Sequence, residues 1–217
     1  MKRHHYLIVD SETTRRQTVA DFGAVVIGRD GRIVEQFGAL VFGHFGKFDL
    51  FADPSLPDSA FWSEQSAQRR MKNYYAMIDS GERSISSPAL IQQWLWGVNQ
   101  RYQPTLTAYN LVFDFGKCQN TRINLGIFSQ SFCLMKAAKK IIGIRADYQQ
   151  FCYDQDLVTK KMRKPQMTAD AMAKFIIGND LADEPHTALE DARDYERAIL
   201  AHLLKSLTRQ QILELGQ

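Results

Sequence analysis

The sequence predicts an α/β layer fold. Residues 6–10 (YLIVD) form a short, wholly apolar run ending in an acid, the pattern of a strand buried on both faces. Residues 21–28 and 32–42 are two further strand-like runs, and Arg29-Asp30-Gly31 between them is a hairpin signal. Downstream, segments of helical spacing alternate with another strand at 105–109. Strands interleaved with helices pack as a sheet covered by helical layers.

The remaining elements follow in order. Pro54 and Pro57 with nearby Asp and Ser mark a loop, and a helix is expected within 59–79. Ser87 can cap a helix whose first position suits Pro88, with Leu90, Ile91, Trp94, Leu95 and Val98 as its apolar face. Pro104 closes that region, residues 105–109 form a strand, and a helix starts near Phe113. Residues 149–153 and 156–158 read as a fifth strand or as part of a loop. Thr168 caps a helix over 169–177 that Gly178 closes, and a last helix covers about 188–205. The chain reads as one domain, 1–217, with an irregular and helical insertion at about 43–87.

Composition excludes several classes. The 217 residues are 45% hydrophobic and 24% charged, ordinary for a soluble enzyme. No run approaches 18 apolar residues, so no membrane span is expected. The apolar run after Met1-Lys2-Arg3-His4-His5 is too short for a signal peptide, so a cytoplasmic address is the expectation. Cys118, Cys133 and Cys152 match no zinc or redox spacing and read as free, buried thiols. A net charge of +3 points only weakly to nucleic acid, but divalent cations bound to carboxylates would make the field more positive.

Three short patterns carry chemistry. Asp10 and Glu12 stand at the end of the first strand, where alternation turns both carboxylates to one side. Two bare carboxylates repel, and a hard cation relieves that cost. Asn110-Leu111-Val112-Phe113-Asp114 puts an acid at a helix start, with Phe113 as its anchor. His186 lies behind Pro185 and just outside the last helix, and Asp191 falls in that helix's first turn. Thr187 and Glu190 have capping-box spacing there. Within one α-helix, residues five apart would diverge by about 140°, so His186 must lie in the loop to reach the same site as Asp191. Each pattern alone has an ordinary reading as solvated acids or caps. Together their chance occurrence is under about 0.01.

In these motifs and their order the chain resembles the DEDD exonuclease superfamily, in its histidine branch (DEDDh, DnaQ-like). The motifs are Asp10-x-Glu12 followed by Thr13, Asn110-x-x-x-Asp114, and His186-x-x-x-x-Asp191 followed by Ala192. The resemblance implies a ribonuclease-H-like fold, with a five-stranded mixed sheet flanked by helices. It implies a 3′→5′ exonuclease that hydrolyses single-stranded or frayed DNA or RNA and releases nucleoside 5′-monophosphates. Asp10, Glu12, Asp114 and Asp191 would hold two divalent ions, Mg²⁺ or Mn²⁺, and His186 would activate water. Asp10 is expected to bridge the ions, Glu12 and Asp191 to ligate one, and Asp114 to hold the other. The partner would be nucleic acid with a 3′-OH end, and relatives that pair suggest a homodimer. Thr13, Asn110 and Phe113 are candidate substrate contacts. Arg15 and Arg16 stand where relatives often carry a small residue and an apolar wedge. They either stack or pair with substrate or are ordinary solvated residues.

Two further segments bear on substrate. Phe45, Phe48, Phe51, Phe61, Trp62, Tyr74 and Tyr75 near Arg69, Arg70 and Lys72 either stack bases or cover the sheet. Lys160 through Lys164, before Pro165, is either a phosphate-contacting loop or a solvated charge run. Two alternatives stand beside the exonuclease reading: a non-catalytic nucleic-acid-binding or scaffold module on the same fold, and a phosphodiesterase for small nucleotides.

Overall fold

The computed structural model describes residues 4–217. Six strands are β1 (His5–Thr13), β2 (Val19–Gly28), β3 (Ile33–Val41), β4 (Ser84–Ser86), β5 (Thr105–Ala108) and β6 (Ser131–Cys133). They form one mixed sheet in the order β4-β3-β2-β1-β5-β6. β1, β2 and β3 form an antiparallel meander, and β5 joins β1 in parallel. The sheet is thus α/β, as expected, with one strand more than the five anticipated. The extra strand, β4, comes from the end of the insertion and pairs in parallel with β3.

Alternation along β1 sorts the core into two layers. Tyr6 and Ile8 face one side with Val25, Ile27, Met172, Ile199, Leu200 and Leu203. Leu7 and Val9 face the other with Phe22, Val26, Ile91, Leu95 and Val98. All four β1 residues are fully buried, which is why the run is apolar without alternating. Each such side chain contributes about 1.5–3 kcal/mol of transfer free energy.

The helices over these faces are α1 (Glu64–Asp79), α2 (Pro88–Tyr102), α3 (Leu111–Asn120), α4 (Leu134–Ala138), α5 (Ala146–Asp154), α6 (Ala169–Ile177), α7 (Ala188–Glu190), α8 (Arg197–Ser206) and α9 (Arg209–Leu215). A π-helical segment, Asp191–Glu196, joins α7 to α8. Ser87 caps α2 by accepting from the Leu90 N–H, and Thr168 caps α6 by accepting from Ala171. In α2, Leu90 departs from expectation: it is 56% exposed, and the buried face is Ile91, Leu95 and Val98. Trp94 stacks on Phe37 with ring centroids 5.1 Å apart.

Two further expectations change. Residues 149–153 are helical, within α5, and the strand beside β5 is β6 instead. Tyr148 and Cys152, four apart, are both fully buried, so helical spacing prevailed over the strand-like composition of QQFCY. The capping box at Thr187 does not form, because the Thr187 side chain makes no cap bond. Glu190 pairs with Arg83 instead, and the Asp21 carboxylate of β2 accepts from the Ala188 N–H at 3.0 Å. The three cysteines are buried and free. Among the described residues, no helix is long and apolar enough to cross a membrane.

Candidate active site

The site forms where β1 and β5 end and where α3 and α7 begin. β1 stays extended to Thr13, so Asp10 and Glu12 project to one side. The main chain after β5 turns through Tyr109 and Asn110 into α3, which brings Asp114 into its first turn. Asp114 is 3% exposed and accepts a 2.7 Å hydrogen bond from Ser11 Oγ, on the opposite face of β1 from Asp10. Asn110 occupies the N-cap position without a side-chain cap bond.

Asp191 arrives by a different route. α7 lies directly on β2, where Gly23 leaves the space: a Cβ there would sit 2.2 Å from the Ala188 carbonyl. The Asp21 carboxylate fixes the helix start, and Arg83, fully buried, holds both Asp21 and Glu190. Asp191 follows at 2% exposure.

His186 precedes the helix in a left-handed backbone conformation, φ 55°. Its Nδ1 lies 4.0 Å from Glu12 Oε1. The ring packs against Phe61 and Trp62, with centroids 4.2 and 5.3 Å away. Tyr74 Oη reaches the His186 carbonyl at 3.4 Å. Glu12, His186 and Asp191 offer possible ligand atoms that all lie within 4.8 Å of one another.

Among the described residues, no lysine or arginine forms an ion pair with Asp10, Asp114 or Asp191. Asp10 Oδ2 and Asp191 Oδ1 are buried without a hydrogen bond. Burial, then the neighbouring carboxylates, push Asp10 well above its ordinary range. Burial lifts Asp114 to about 7 against the restraining bond from Ser11, and lifts Asp191 to about 10, with further repulsion from Glu184 and Glu12. His186 is driven the other way, to about 4, by burial and then by the Arg70 guanidinium. The imidazole is therefore neutral at ordinary pH.

A pocket of about 270 Å³ opens over Asp10, Glu12 and His186, walled by Thr13, Phe51, Trp62 and Phe113. Thr13 is buried, whereas Phe113, expected to anchor the start of α3 in the core, is instead 40% exposed at the pocket with Lys117 Nζ 4.6 Å from its ring centroid, and Leu111 is the buried apolar residue there. Arg15 and Arg16 instead engage the insertion. Arg15 pairs with Glu64 at 2.5 Å, and Arg16 lies 4.6 Å over the Phe48 ring. The aromatic segment divides between core and pocket. Phe45 packs around the buried Tyr74, whereas Phe51 and Trp62 face the pocket.

Three residues here carry little sequence signal. Arg70 is buried, stacks near Phe61 and Trp62 at 5.0 and 4.7 Å, and donates to the Phe51 carbonyl. It is the cation whose charge most favours ionised Glu12. Glu184 and Glu196 add acids beside the motif carboxylates.

Searches against protein-family models and against curated proteins return no match. Solved structures do match. E. coli exonuclease I in complex with a 5cy-dT13 oligonucleotide superposes with a TM-score of 0.54 over 98% of this chain, at 13% identity. A product-bound exonuclease I gives 0.53 over 97%, at 14% identity. The fold is ribonuclease-H-like. Exonuclease I in complex with the inhibitor BCBP gives 0.53 over 98%, at 14% identity. The chain spans 42–45% of the length of these exonuclease I chains.

Proposed function

We propose that this chain is a metal-dependent 3′→5′ exonuclease of the DEDDh type. The observation that carries the reading is that Glu12 of β1, His186 before α7 and Asp191 after it bring possible ligand atoms within 4.8 Å of one another, with Asp10 of β1 and Asp114 of α3 close enough to act on one another beside them. Likeness to exonuclease I in fold is the second support.

The donors suit divalent cations. They are carboxylate oxygens, as Mg²⁺ and Mn²⁺ require, and two buried oxygens have no hydrogen-bond partner among the described residues. Asp10, Glu12, Asp114 and Asp191 would hold two such ions. Bound there, two such ions supply charge stabilisation to the attacking and leaving oxygens of an in-line displacement.

The protein's own groups do the rest. With Nδ1 on the side of Glu12, 4.0 Å from its Oε1, the tautomer that carries its proton on Nδ1 leaves the Nε2 lone pair to take a proton from the attacking water. Phe61 and Trp62 hold the ring in that orientation. Phe113, Phe51 and Trp62 offer apolar faces for a terminal base, and Thr13 and Asn110 lie at the pocket and at the α3 start for polar contacts. Hydrolysis leaves a new 3′-OH and a nucleoside 5′-monophosphate.

The test uses 5′-labelled single-stranded DNA and RNA with Mg²⁺, Mn²⁺ or EDTA. The expected result is a ladder shortening from the 3′ end. It is abolished by EDTA and by Asp10→Ala, and slowed at least about 100-fold by His186→Ala. Binding of both polymers without cleavage under either metal would overturn the assignment in favour of a binding module. Cleavage confined to dinucleotides would favour a small-nucleotide phosphodiesterase.

A further inference from the structure

The residue five positions after Asp191 is Glu196, and the backbone between them is π-helical. In an α-helix such a pair would diverge by about 140°. A π turn closes i to i+5 and so returns both side chains to one face. Asp191 and Glu196 are each 2% exposed. Glu196 has the same signature as the motif acids: its Oε2 is buried without any hydrogen-bond partner. No basic side chain pairs with it among the described residues. The π segment packs against β1, which carries Asp10, and beyond burial itself the Glu196 charge, with those of Asp114 and Asp191, raises the Asp10 carboxyl. The Tyr109 main-chain N–H, just after β5, favours the ionised form of Glu196.

Resting on the metal-dependent reading, we infer that Glu196 is a fifth carboxylate of the cation centre, brought beside Asp10 by the π turn. Three features argue for it. A buried acid with a free oxygen is costly unless something occupies that oxygen. The oxygen belongs to a group adjoining Asp10 and Asp114, where cations are expected. The π turn is an otherwise unfavourable interruption of a helix that α8 continues regularly, and such turns concentrate at working sites. An apolar residue at 196 would satisfy a purely structural role better than a half-satisfied acid.

Cation binding tests this apart from catalysis. Mn²⁺ is titrated calorimetrically into the full chain and into Glu196→Gln, Glu196→Asp and Asp194→Asn, and each is unfolded by urea in EDTA. Asp194 lies in the same turn but pairs with Arg193 near the surface. Glu196→Gln is expected to weaken Mn²⁺ binding about tenfold or more. In EDTA its urea midpoint should stay level or rise, because like-charge repulsion with Asp10 is relieved. Asp194→Asn should leave Mn²⁺ affinity unchanged. Should Glu196→Gln fail to fold, Glu196→Asp replaces it, since its carboxylate falls one methylene short and must also bind Mn²⁺ more weakly. Mn²⁺ binding by the unaltered chain with equal affinity in the Glu196 variant would overturn the inference and leave the exonuclease reading standing. No Mn²⁺ binding by the unaltered chain would overturn both.

Discussion

Arg83 is fully buried, at the end of the insertion, and joins Asp21 of β2 to Glu190 of α7. Removing one partner of a buried ionic group strands the others without compensation. Arg83→Leu should therefore lower stability by about 3–5 kcal/mol in urea titration. An unchanged midpoint would mean that Asp21 and Glu190 find other partners. Nothing in the sequence marks Arg83, because its role depends on groups distant in the chain. The motif acids differ: the positions of Asp10 and Glu12 at a strand end and of Asp114 near a helix start were readable from local signals, because strand alternation and helix starts fix where such side chains go, whereas their joint role is proposed. Arg15 and Arg16 were left with two readings, and their contacts to Glu64 and Phe48 arise from an insertion whose path the sequence does not encode locally.

Among elements, the seat of α7 on β2 is the most demanding. Gly23→Ala would drive a methyl into the Ala188 backbone, and relief requires the helix start to lift from the sheet. The expected cost is about 3 kcal/mol or more, with loss of the proposed nuclease activity as His186 and Asp191 move together. Gly116, inside α3, meets nothing within 4 Å of an added Cβ. Gly116→Ala should therefore raise stability by about 0.5–1 kcal/mol, and the two substitutions can be compared in one thermal denaturation series. The meander β1 to β3, the capped starts of α2 and α6 and the strand β5 were all readable, because their signals are local. The edge strands β4 and β6 were not, since three residues carry no periodicity to detect. The expected capping box failed for a tertiary reason: Arg83 draws Glu190 away, and Asp21 supplies the cap from another element. The π segment was equally hidden, and with it the position of Glu196.

At the scale of the whole molecule, the acid cluster makes stability depend on pH. Folding raises these carboxyl pKa values, so the folded state binds their protons more tightly than the unfolded chain does. That contribution is complete below about pH 4. It is lost as pH rises, through about 7 for Asp114 and about 10 for Asp191. His186, whose pKa folding lowers from 6.5 to about 4, opposes this because the unfolded chain binds its proton more tightly. The acids outweigh one imidazole, so in EDTA the protein should be less stable at pH 8 than at pH 5, by about 2–4 kcal/mol in urea titration. Saturating Mg²⁺ should shrink this difference, since a cation bound only by the folded state stabilises it and favours ionised ligands. A midpoint that rises with pH in EDTA would contradict the arrangement of unpaired acids described above. The sheet itself ends on both sides in strands of three residues, β4 and β6. Such short margins give a neighbouring chain almost no ladder to extend. At high concentration the protein is thereby guarded against fibrous self-association through its sheet, and a paired form would have to meet through its helices or its insertion.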